Sequence, residues 1–208
     1  MLTVTRLEPQ KKNPQRINVY LDGEFAFGIS RAAALWLTEG TQLSQQKIND
    51  LQEKDLFEGA YQRAINFLSY RVRSEKEIRQ NLTKHDVPEN IIERVLDRLR
   101  GASLVNDRDF ASQWVENRVQ FKPRGKRALS SELFLKGIGN EIIEDVLAEL
   151  DEEKLAYACA RSRITKFTGL EEKAFQKKLS GLLTRRGFPY HVTKDVVGSL
   201  WEETEKEL

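Results

Sequence analysis

The side chains able to do acid–base, nucleophilic or metal chemistry are few and scattered. His85 and His191 are the only histidines and Cys159 the only cysteine. Neither histidine has further ligands at the close spacing that a zinc site needs. No GxxxxGK[ST] and no GxGxxG occurs, so no phosphate-cradling loop is visible. Cys159 stands among Ala156, Ala158 and Ala160, the neighbourhood of a packed structural thiol and not of a nucleophile. Glu152–Glu153 and Glu171–Glu172 sit where helices begin, and carboxylates there complement the helix dipole. No catalytic residue, no metal ligand and no cofactor is assigned.

The chemistry that remains is charge. Arg71 and Arg73 precede one amphipathic helix, and Lys122, Arg124, Lys126 and Arg127 stand at the equivalent place before another. Arg185 and Arg186 close a third. A basic run is most often a solvated face. Two runs at matching positions of a repeat point instead to a row of cations, suited to a phosphate backbone or an acidic protein groove. The total charge hides this, because 34 basic residues stand against 32 acidic ones, a net of +2.

These clusters are positioned by a repeated two-helix unit. From Ser74 to Leu99 the apolar positions are Ile78, Leu82, Val87, Ile91, Ile92, Val95, Leu96 and Leu99, spaced for one stripe on each of two helices. Ser74 with Glu77 forms a capping box, and Pro88 fits the first turn of the second helix. Fifty-one residues on, the same eight positions read Leu129, Leu133, Ile138, Ile142, Ile143, Val146, Leu147 and Leu150. Fifty further on they read Leu179, Leu183, Phe188, Val192, Thr193, Val196, Val197 and Leu200, with Thr193 the one polar exception. A two-helix unit that keeps its internal spacing three times is a repeat. Two short helices bury too little apolar area to offset chain entropy, at about 25 cal/mol per Å². A preceding helix therefore completes each unit: one over Leu56–Tyr70, one capped by Asn106, and one over Leu155–Ile164.

The first 55 residues differ. LTVTRL is β-rich, and Ile17–Leu21 and Phe25–Ile29 flank Asp22–Gly23, a hairpin signal that pairs Tyr20 with Phe25 and puts Ile17, Val19 and Leu21 on the opposite face. Helical patterns follow over Arg31–Leu37 and over Ser44–Lys54, with Ser44 as N-cap. Trp114 reads as core, and Trp36 and Trp201 as caps on apolar helices. No run approaches a membrane span and no signal pattern opens the chain, so a cytoplasmic protein is expected. The expected fold is mainly α: three tandem three-helix repeats in an elongated array, preceded by a small N-terminal β-hairpin/helix module. The divisions fall at 1–55, 56–104, 105–151 and 152–208.

Several segments resemble the RecX regulatory proteins, the bacterial modulators of the RecA recombinase. They are YRVRSEKEIRQNL, LVNDRDFASQWVENR, KPRGKRALSSELFLKGI and IIEDVLAEL, in that order, with LLTRRGFPY as a looser match further on. Phe134–Leu135 before Lys136 departs from the family pattern. The resemblance implies three tandem three-helix units and no activity of the protein's own. It implies binding in the groove of the RecA filament on single-stranded DNA, with inhibition of ATP hydrolysis and strand exchange. A monomer is expected, with no membrane partner, and direct contact with single-stranded DNA is left open. The competing reading from the residues is a DNA-binding helical module with its basic clusters on phosphates.

Overall fold

A computed structural model of the chain describes residues 1–206. The chain forms two compact units: residues 1–71 with 78–102, and residues 72–77 with 103 onward.

The first unit opens with a four-stranded antiparallel sheet in the order β3-β2-β1-β4, from β1 (Leu2–Gln10), β2 (Asn13–Leu21), β3 (Glu24–Ser30) and β4 (Gln42–Leu43). Asp22 and Gly23 have φ of 49° and 92°, the left-handed pair that a tight hairpin turn demands, and Tyr20 pairs with Phe25 as the spacing requires. Ile17, Val19 and Leu21 are buried with Phe27 and Ile29 on the inner face. The short strand β4 carries no sequence signal; it pairs Leu2 with Leu43 and closes the sheet edge. Arg31–Leu37 is not a helix. It is a chain of turns that buries Ala34 and Leu37 while Leu35 and Trp36 face outward, at 79% and 47% exposure. Seven residues are too few to nucleate a helix against that packing demand.

The helices expected on either side of residue 55 are one helix, α1 (Gln45–Leu68), capped by Ser44 Oγ accepting the Lys47 N–H at 3.2 Å. No proline or glycine stops it between Lys54 and Leu56, and Asp55, a capping residue by type, turns its carboxylate to the sheet instead. Ile48 and Leu51 pack under the sheet. Asp55, 7% exposed, accepts the Ser30 N–H at 2.7 Å and pairs with Arg16 at 2.8 Å, tying the helix to β3 and β2. Further along, α1 packs on α3 (Glu89–Gly101), with Arg94 on Glu53 and Arg98 on Glu58 across the seam. Pro88 is the N-cap of α3, one position earlier than its sequence pattern suggests.

The second unit takes the first turn of α2 (Glu75–Thr83) with α4 (Asp107–Phe121), α5 (Lys126–Leu135), α6 (Asn140–Ala148), α7 (Glu152–Arg161), α8 (Glu172–Arg185) and α9 (Tyr190–Lys206). The repeated stripe is the core: all eight positions are buried in the first and third copies and five in the second, where Ile142, Val146 and Leu150 are half-buried. Its helices are joined by a contact that recurs. The Ser74 hydroxyl donates to the Lys136 carbonyl at 2.7 Å, and the Glu75 N–H donates to Asp107 Oδ1 at 2.9 Å. Fifty-one residues on, the Gly125 N–H donates to the Arg186 carbonyl at 3.0 Å, and the Lys126 N–H donates to Glu152 Oε1 at 2.7 Å. α2 and α5 thus each start against the last turn of the next second helix, and an acid opening the next repeat takes the first N–H.

The second joint is backbone on backbone. A Cβ on Gly125 would lie 2.4 Å from the Gly187 carbonyl oxygen. Gly125 has φ −70°, which alanine adopts without strain, so the clash is the main cost there. Gly125→Ala is expected to lower stability by about 2 kcal/mol, as over-packing does. Gly139→Ala, at the N-cap of α6 with nothing within 4 Å, serves as a control that carries only the N-cap cost of alanine, about 0.5 kcal/mol; thermal melts compare the two. Thr193 is 2% exposed and its Oγ1 has no hydrogen-bond partner among the described residues. Thr193→Val should therefore stabilise the protein by about 1 kcal/mol, read from the urea midpoint.

Candidate functional site

The basic loop and the basic turn that the sequence places in different parts of their repeats form one surface. The loop is Lys122–Arg127, between α4 and α5; the turn is Thr184–Gly187, closing α8. The Gly125–Arg186 hydrogen bond joins them, and Arg186 Nη1 donates to the Pro123 carbonyl at 3.4 Å. The joint that seals two repeats also gathers their cations.

Those cations divide by what they touch. Arg124 is half-buried and pairs with Glu132 Oε1 at 2.9 Å. Lys126 Nζ donates to the Ala148 carbonyl at 3.0 Å, capping the end of α6. Arg186 is half-buried over the loop. These three build the surface. Lys122, Arg127 and Arg185 are exposed on it. Arg71 is exposed in the first unit; Arg73 is half-buried just before Ser74.

Glu132 holds the loop in place. Besides Arg124, it accepts Arg118 Nε at 2.8 Å and the Trp114 indole N–H at 2.7 Å, both on Oε2. Trp114 is half-buried against the repeat-two core, with the Arg118 guanidinium 4.4 Å and Lys136 Nζ 5.0 Å from its ring centre. One carboxylate faces two guanidinium groups here. Sequence reasoning missed Glu132, Arg118 and Lys136. The four-residue spacing of Trp114 and Arg118 was the available signal, since such pairs meet on a helix face.

Helix α5 carries a joint at each end. Its start meets Arg186 and its last turn meets Ser74. Ten residues separate them, about 15 Å at 1.5 Å per residue. Arg73, beside the first joint, and the loop cations at the second therefore stand about one α5 length apart.

Among the described residues no group of three or more His, Cys, Asp or Glu side chains is placed to hold a metal. His85 and His191 are both exposed, in or beside turns. Cys159 is 2% exposed, and burial pushes its thiol above the ordinary range, so it stays protonated and unreactive near neutral pH. No helix among the described residues is long and apolar enough to cross a membrane.

Comparison with known proteins places this architecture. The family descriptions "Regulatory protein RecX N-terminal domain", "RecX, first three-helix domain" and "RecX, second three-helix domain" match residues 2–49, 60–99 and 106–147. Regulatory protein RecX of Clostridioides difficile is 30% identical over 99% of both chains. That of Bacillus velezensis is 32% identical over 98% of this chain and 78% of its own. A crystal structure of regulatory protein RecX superposes with a TM-score of 0.70 at 29% identity, covering 94% of this chain and 98% of the other. The three-helix units, the β-stranded module before them and the full-length match agree: the chain belongs to the RecX family of regulatory proteins.

Proposed function

We propose that this protein regulates the RecA recombinase by binding the filament that RecA forms on single-stranded DNA. It slows ATP hydrolysis and strand exchange, and so limits recombination and the SOS response. It acts as a cytoplasmic monomer and does no chemistry of its own. The regulatory role of the family supports the reading. The observation that carries it is the basic joint: Lys122, Arg127 and Arg185 exposed together, with Arg124, Lys126 and Arg186 bracing them from behind. A partner with a negative groove meets such a surface with several charge pairs at once. Arg73, in the same unit, extends the contact toward the first joint.

Direct DNA binding is the second reading, favoured by the same exposed cations. It separates from the first by salt, because phosphate contacts release counterions and weaken steeply as salt rises.

The bracing residues dictate how the test is made. Reversing Arg124 would leave Glu132 facing a like charge, so only the exposed positions are changed. Lys122→Glu with Arg127→Glu and Arg185→Glu is expected to weaken inhibition of RecA ATP hydrolysis by about 2 kcal/mol, roughly thirty-fold in half-inhibitory concentration. Adding Arg71→Glu should weaken it further, and helicity should not change. A folded triple variant that inhibits like the parent would remove the basic joint from the interface. Parallel titrations against bare single-stranded DNA, at rising salt, measure how much of the effect is phosphate binding alone.

A further inference from the structure

The joint that recurs between repeats is only half-filled at its first occurrence. Helices α2, α5 and α8 end alike: Val87 N–H donates to the Leu82 carbonyl, Ile138 to Leu133 and Phe188 to Leu183, at 3.2, 3.1 and 3.2 Å. The left-handed residues of the three turns are Asp86, Gly137 and Gly187, with φ of 57°, 88° and 87°. His85, Lys136 and Arg186 are therefore equivalent, one residue before the left-handed position each time. Lys136 and Arg186 do the same work. The carbonyl of each accepts a donor from an arriving helix start, Ser74 Oγ or Gly125 N–H. The side chain of each reaches back along it, to Glu77 Oε1 at 2.6 Å or the Pro123 carbonyl at 3.4 Å.

No second helix precedes His85 in the chain. The sheet takes part of the missing repeat's place. Asp55 accepts the Ser30 N–H at 2.7 Å, much as Asp107 accepts that of Glu75 at 2.9 Å. The remainder is an open groove beside α1, lined by Gly59, Arg63, Asn66, Asn81 and His85. His85 is exposed, whereas Lys136 and Arg186 are half-buried under the helix starts they hold. Its Nδ1 lies 2.9 Å from the Asn81 carbonyl, which leaves Nε2 for another partner. Asn81 Oδ1, buried in the same wall, has no hydrogen-bond partner among the described residues. Arg63 is exposed on the rim, and the one buried acid nearby, Asp55, is already matched by Arg16.

We propose that this groove is a docking site for the first turn of a helix from a partner protein, seated as the N-termini of α2 and α5 are seated on their own turns. The partner helix offers a hydroxyl or free N–H to the His85 carbonyl, a further N–H to Asn81 Oδ1, and a carboxylate in its first turn to Arg63 and, when the His85 imidazole carries both protons, to its Nε2–H. Its chemistry is that of a capping-box start, Ser-x-x-Glu, which is the pattern that Ser74 and Glu77 present to Lys136. The site is separate from the basic joint and does not rest on the reading given for it.

The test needs no recombinase. A capped alanine-based helical peptide opening Ser-Glu-Ala-Glu is titrated into the full-length, isotope-labelled protein, and amide shifts are followed by NMR. Saturable shifts are expected at residues 59–66 and 81–87. A peptide with glutamines in place of the glutamates should bind about tenfold more weakly, and so should the original peptide with Arg63→Glu or His85→Ala protein. Both side chains are exposed, so circular dichroism of the variants should match the parent. Absence of shifts would overturn the proposal. So would shifts centred on 136–137 or 186–187, which would mean displacement of the internal helix starts. Equal binding of the carboxylate and amide peptides would overturn it too.

Discussion

Short helices have too many ends. An α-helix leaves four N–H groups unbonded at its start and four carbonyls at its finish, whatever its length. In α2 and α5, of nine and ten residues, most of the backbone belongs to one end or the other. The orphan groups are satisfied across repeats. The carbonyl one residue before the left-handed turn of α5 or α8 takes a donor from the start of the second helix before it, and the acid that opens the next repeat takes that start's first N–H. Packing alone would let neighbouring helices slide. These paired donors and acceptors fix register to one residue, and the loops that carry the charged groups inherit that precision.

The hydrophobic core follows the same division. The second and third repeats each bury their own cluster, and the sheet module buries another. Stability in such a chain is a sum of small local cores plus nearest-neighbour terms, so the joints weigh more than their few hydrogen bonds suggest. The surface ion pairs weigh less. Arg108–Asp145 and Arg100–Asp97 are about half exposed, and exposed pairs contribute at most about 1 kcal/mol. Glu132 is different, because at 17% side-chain exposure it holds an indole and two guanidinium groups at once. Removing its charge would release both the Trp114 ring and the loop that begins at Lys122.

The repeated stripe was legible because a buried face must be apolar at fixed spacing, and a pattern seen three times outweighs local noise. The hairpin was legible because Asp22–Gly23 supplies the left-handed backbone that few other pairs tolerate. Where expectation and structure part, long-range pairing is the cause. Nothing local marks Gln42–Leu43 as a strand; it exists because Leu2 needs a neighbour. Nothing local separates a helix over Ala32–Ala34 from turns; the sheet core decides. The basic residues were found by type and position. Which of them build and which remain available could not be read from charge, since it depends on Glu132, Ala148 and Pro123, each of which becomes a neighbour only through folding.

Helix α1 is the element with the widest consequence. Its 24 residues pack under the sheet at one end and against α3 at the other, with Asp55 stapling the middle. A boundary drawn at residue 55 by composition would pass through unbroken helix. The sheet is thus not a detachable leader in front of an independent repeat. The two share a rod: the helix that the sheet packs on at one end is the helix that the first repeat packs on at the other. A lineage could shed the strands only by inventing a new start for that helix partway along, with its own cap and a new lining where Ile48 and Leu51 now sit.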